Sequence, residues 1–146
     1  MDVTAELDAP VEAALLFAVV EDLGRYPAWL DIVPRADRIV DGPGEDGPAW
    51  SVDLRGRLGP LARSKRLRMV RTVHEPSTHV RFERSELDGR QHSAWTLDAE
   101  VSARDAGSRL TMVLHYGGGL FGPVLERVLV DEIERSKPRL LSLLDA

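Results

Sequence analysis

Hydrophobic and polar residues alternate along most of this chain and recur at helical spacing at its end. Val3, Ala5 and Leu7 alternate with Asp2, Thr4, Glu6 and Asp8, the period of a strand with one buried face. After Ala9-Pro10 the spacing changes. Val11, Leu15, Phe17 or Ala18 and Val19 share a face, which predicts a helix starting near Pro10 or Val11 and stopping by Leu23-Gly24. Arg25–Leu30, carrying Tyr26 and Trp29, predicts a short second helix or turn that Pro34 closes. Between Arg35 and Gly118 the pattern predicts six strands and no helix, with apolar faces made by Ile39, then Trp50, Val52 and Leu54, then Leu67, Met69 and Val73, then Val80 and Phe82, then Trp95, Leu97, Ala99 and Val101, then Leu110, Met112, Leu114 and Tyr116. Turn-rich residues separate them at 41–48, Gly59-Pro60, 74–77 and 105–108, and Asp88-Gly89 predicts a hairpin. Gly122 to Leu144 reads as a long helix: Phe121, Leu125, Leu129 and Ile133 recur every four residues, joined by Val128, Leu140 and Leu144. Pro138 predicts a kink or break within it.

One strand, two short helices, six strands and a long helix predict an α+β fold in which an antiparallel meander covers its single apolar face with the last helix. With 146 residues, 43% of them hydrophobic, the sequence predicts a single domain over residues 1–146. The absence of cysteine excludes disulfides and thiol catalysis. No apolar run reaches the ~20 residues of a membrane span, and the first residues lack a secretory pattern, so the expected location is cytoplasmic. A net charge of -5 gives no general attraction to nucleic acid.

Two stretches carry a family resemblance: Glu6-Leu7-Asp8-Ala9-Pro10-Val11-Glu12, and Val20-Glu21-Asp22-Leu23-Gly24-Arg25-Tyr26-Pro27-Ala28-Trp29-Leu30. With the Gly59-Pro60 turn before a basic strand, Trp95 opening a strand and the closing amphipathic helix, they resemble the SRPBCC superfamily, also called START-like or Bet v 1-like, and in particular its polyketide cyclase/dehydrase and lipid-transport branch. The resemblance implies a helix-grip fold, a seven-stranded curved antiparallel sheet wrapped around the long helix with two short helices after the first strand. It also implies an apolar pocket for a small hydrophobic ligand of lipid, polyketide or isoprenoid type, and no cofactor. An enzyme of this kind would be a cofactor-independent cyclase, aromatase or dehydratase.

If each strand turns its apolar face to the helix, the ligand-binding candidates are Trp50, Val52, Leu54, Leu67, Met69, Phe82, Trp95, Leu97, Leu110, Met112 and Leu114, with Trp29 at the mouth and Phe121, Leu125 and Leu129 at the floor. A solid core is the alternative reading of the same stripes; a pocket would be expected at about 300–1,000 Å³. Arg71, Arg84 and Tyr116 share these faces and are candidate polar anchors. A guanidinium there needs a partner, either a ligand oxyanion or a protein carboxylate such as Glu86 or Glu132. Tyr116 is the single catalytic candidate, because His115 must face the other side of the sheet. From Arg55 to Arg71 there are seven basic residues and no acidic one: Arg55, Arg57, Arg63, Lys65, Arg66, Arg68 and Arg71. They read either as a solvated face with cross-strand pairs beside Asp98 and Glu100, or as a contact for an anionic membrane or a protein partner. The four histidines show no metal-ligand spacing, and no phosphate loop or nucleophile elbow occurs.

Overall fold

The computed structural model describes residues 1–119 and 122–145, and every side chain among them except that of Pro60. Seven strands, β1 (Asp2–Ala9), β2 (Arg35–Ile39), β3 (Ala49–Leu54), β4 (Lys65–Glu75), β5 (His79–Arg84), β6 (Trp95–Arg104) and β7 (Gly107–Tyr116), form one antiparallel sheet in the order β1-β7-β6-β5-β4-β3-β2. Chain neighbours pair throughout, except that β1 pairs with β7. Helix α1 (Ala13–Val20) and a 3-10 helix, Leu23–Ala28, carry the chain from one sheet edge to the other. Helix α2 (Gly122–Asp145) covers the concave face. This is the α+β helix-grip fold, with the curved sheet gripping α2.

Strand alternation sets the inner face. The register aligns Val3, Leu114, Leu97 and Phe82 across four neighbouring strands, and Trp50 and Met69 across two more. These rows meet α2 through Leu125, Val128, Leu129 and Leu140, which are buried. The crossing segment is pinned by its own polar groups. Asp22 accepts a hydrogen bond from Gly24 N (2.8 Å) to start the 3-10 helix, and the buried Tyr26 hydroxyl donates to Val20 O (2.9 Å) at the end of α1. Ser108, also buried, donates to Val11 O (2.8 Å) and ties the β6–β7 turn to the chain leaving β1.

Four local expectations are corrected. α1 begins at Ala13, because residues 10–12 are extended or bent, with Glu12 at ψ 150°. The expected helix or turn over Arg25–Leu30 is a 3-10 helix shifted to Leu23–Ala28, since Asp22 caps it and Trp29 leaves helical geometry. Val73 does not share a face with Leu67 and Met69: a bulge between Arg71 and Val73 pairs Val73 with Arg81 on the outer side and turns His74 inward onto Phe17 (5.9 Å between centroids). Asp88-Gly89 is not a tight hairpin; it lies in a loop over residues 85–94. That loop is held by its side chains, Asp88 accepting from Arg90 N (3.0 Å) and pairing with His92 (2.8 Å).

At Pro138, the predicted break is absent and α2 is helical on both sides. The proline is exposed, as is Glu134, whose carbonyl loses its helical donor there and can turn to water. Among the described residues, no helix is long and apolar enough to cross a membrane.

Candidate functional site

Between the sheet and α2 lies a cavity of about 100 Å³. Its wall is drawn from β1 (Val3, Ala5, Glu6, Leu7), the crossing segment (Leu23, Tyr26, Trp29, Leu30, Ile32, Val33), β3 (Val52, Leu54), β4 (Leu67, Met69), β6 (Trp95, Leu97), β7 (Leu110, Met112, Leu114) and α2 (Leu129, Ile133, Ser136, Lys137, Leu140). β5 contributes nothing to it. Phe82 is edge-on to Trp50 (5.5 Å, 82°) and to Tyr26 (6.2 Å, 84°), so this aromatic cluster fills the space beneath β5 and leaves the void towards β1 and α2. Rotamer-limited aromatics and leucines projecting from three sides therefore hold the cavity below the expected 300–1,000 Å³.

The wall contains few polar groups, and its hydroxyls are already engaged. Tyr26 donates to Val20 O, and burial raises its phenol pKa far above the ordinary value, so it remains protonated. Ser136, buried on α2, donates to Ile133 O (2.6 Å) within its own helix. Charged groups stand only at the rim. Glu6 is exposed on the opposite face of β1 from Val3, Ala5 and Leu7, and the Lys137 ammonium donates to Glu134 (2.7 Å). Beside this rim Arg139 of α2 pairs with Asp31 of the crossing segment.

The sequence profile of the polyketide cyclase / dehydrase and lipid transport family matches residues 1–142. The chain belongs to this family. No curated protein matches it. Among solved structures, the Zhui aromatase/cyclase from Streptomyces sp. R1128 superposes with a TM-score of 0.73 at 12% identity, covering 99% of this chain and 93% of that one. A START superfamily protein from Mycobacterium smegmatis gives 0.71 at 12%, covering 99% and 96%. At such identities the likeness shows the fold alone, and it agrees with the SRPBCC membership of the family.

Of the candidate binding residues, Trp29, Val52, Leu54, Leu67, Met69, Trp95, Leu97, Leu110, Met112, Leu114 and Leu129 line this cavity. Trp29 is a buried wall residue, 2% exposed, rather than a cap at the mouth. Trp50, Phe82 and Leu125 are buried in the core away from the void, and Phe121 lies outside the described residues. The remaining polar candidates are drawn elsewhere. Arg71 has the inward register, opposite Phe82, but its guanidinium donates to Glu21 O (3.0 Å) beyond the end of α1. Arg84 pairs with Glu86 (2.7 Å) and donates to Ser93 O (3.2 Å) at the far end of the sheet. Tyr116 packs tilted against Trp95 (4.6 Å, 37°) and its hydroxyl lies against Gly118, where any side chain would overlap it.

The basic run resolves into separate contacts. Arg68 and Glu45 form a two-bond pair (2.5 and 2.6 Å), each side chain 11% exposed, and Arg66 pairs with Asp53 (2.9 Å) on β3. Asp98 is taken by Arg81 (2.8 Å) and His79 (2.7 Å), not by this run. Arg57 and Arg63 make no ion pair among the described residues.

Alternation could not reveal the crossing segment's share of the wall. Residues 23–33 have no single period, and only the 3-10 turn and the following bends point six of their side chains inward. Glu132 gives the one buried carboxylate on α2; it is 4% exposed and meets Arg135 at 3.8 Å rather than Arg71 or Arg84.

Proposed function

We propose that this protein binds and carries a small apolar molecule in the cavity between sheet and α2. The observation that carries the reading is the wall itself: apolar side chains from seven segments of the chain surround a void that the fold leaves unfilled, with charge confined to the rim. An apolar cavity of 150 Å³ takes a single benzene-sized ring. A space of about 100 Å³ is smaller than that, so a single ring needs some side-chain displacement, and a larger lipid or polyketide needs more, near the Arg139–Asp31 pair. Family membership supports the same reading.

A cyclase, aromatase or dehydratase using this cavity is the second reading, favoured by the likeness to an aromatase/cyclase. Proton transfer would then fall to Lys137, since among the described wall residues Tyr26 is held protonated and Glu6 is turned to the outer face of β1.

Native mass spectrometry of the purified protein, followed by organic extraction, tests the first reading. The expected result is one apolar molecule per chain, or one-to-one uptake of an added apolar compound. A bare mass together with no uptake of any apolar compound overturns it.

A further inference from the structure

We infer that the cavity recognises a neutral ligand through oxygen acceptors, and that the indole N–H groups of Trp29 and Trp95 are its recognition donors. This rests on the cavity being a binding site. Both side chains form part of the wall, at 2% and 3% exposure, and neither Nε1 has a hydrogen-bond partner among the described residues. An indole nitrogen can only donate. A donor buried without a partner is costly and uncommon in native interiors, and one set in the wall of a cavity can be completed by what enters it.

The contrast within the same wall gives the inference its chemical direction. Tyr26 and Ser136 have each directed their hydroxyl proton to a backbone carbonyl, at 2.9 and 2.6 Å. The two indoles have not. Each nitrogen is itself covered by neighbouring atoms, so a ligand reaches these two donors by the side-chain displacement that admits it, and it meets them in an apolar setting with no cation of the wall beside them. A ketone, quinone or ester oxygen satisfies such a donor without bringing charge. A carboxylate would bring a full charge into an apolar interior whose one lining cation among the described residues, Lys137, is engaged with Glu134. Arg71 and Arg84, the guanidinium groups that would have favoured an acid, are bonded at opposite ends of the sheet.

Trp50 supplies an internal control. Its Nε1 is also buried and unpartnered, but Trp50 is not in the wall and lies edge-on to Phe82.

The test is a titration of the ¹⁵N-labelled protein with three probes sharing one ring: acetophenone, ethylbenzene and benzoate. Acetophenone is expected to bind about tenfold more tightly than ethylbenzene, the factor that one completed buried hydrogen bond supplies, and benzoate most weakly. The Nε1–H resonances of Trp29 and Trp95, assigned with Trp29→Phe and Trp95→Phe, should move downfield with acetophenone but not with ethylbenzene, while that of Trp50 stays in place. In each variant that folds, the preference for the ketone should shrink while ethylbenzene binding persists; the wild-type spectra carry the test if a variant does not fold. Equal binding of acetophenone and ethylbenzene, tighter binding of benzoate, or unmoved indole resonances on ketone binding would overturn the inference and leave the cavity as a binding site. Failure of all three probes would overturn the binding reading itself, and this inference with it.

Discussion

Arg68 belongs to a run of basic residues that invites a reading as a surface patch, yet its side chain is only 11% exposed, clasped by Glu45 from the loop before β3. The guanidinium holds the Glu45 carboxyl below the usual carboxylate range, chiefly through their hydrogen bonds, and the backbone N–H of Gly42 adds to it. A depressed folded pKa means that the pair contributes its full stability above the unfolded value and loses it as pH falls through the folded one. Glu45→Gln should accordingly cost about 1–2 kcal/mol at neutral pH. The gap between variant and wild type should close as the pH drops below the ordinary glutamate value of about 4.3; urea unfolding at several pH values checks it. At this scale the sequence was partly legible. The Arg84–Glu86 pair follows from two residues spaced to share a face, whereas Glu45 sits in a glycine- and proline-rich loop where no period connects it to Arg68.

Among the elements, β4 and α2 show where periodicity stops being informative. One extra residue at Thr72 moves everything after it to the opposite face, and the apolar pattern around a bulge resembles that of an unbroken strand. Pro138 shows the converse, a strong local signal overruled by tertiary packing: Leu140 beyond it is 1% exposed, and its burial holds the last turns of α2 on the sheet. The proline still removes a hydrogen bond from an exposed site. Pro138→Ala is expected to stabilise the protein by about 1–3 kcal/mol, read as a higher denaturant midpoint with an unchanged slope. A loss of stability would mean that the backbone near residue 134 depends on the proline.

Across the whole molecule, the strand count, the antiparallel order and the covering helix were legible because each is written as a repeating period. The size of the cavity was not. It depends on how far Tyr26, Phe82 and Trp50 fill one end, and sequence alternation assigns Trp50 and Phe82 the same inward direction as the residues that do line the void. If the remaining space serves binding rather than being a packing remnant, filling it should separate stability from uptake. Ala5 on β1 is the smallest wall side chain. Ala5→Leu is expected to leave stability unchanged or raise it by up to about 1 kcal/mol, while abolishing acetophenone uptake in the same titration. Retained uptake would place the binding site elsewhere.

The pairing of β1 with β7 also bears on how the chain reaches this state. Asp2 lies opposite His115, so the first strand has no partner until nearly the whole sheet has been assembled. Local hairpins such as β6–β7 can close early, but the ring of contacts between first and last strands pays a large loop-closure entropy and makes for slow folding. Until α2 docks, the concave face is an open apolar trough, and a ligand of the right chemistry could be captured during assembly as readily as afterwards.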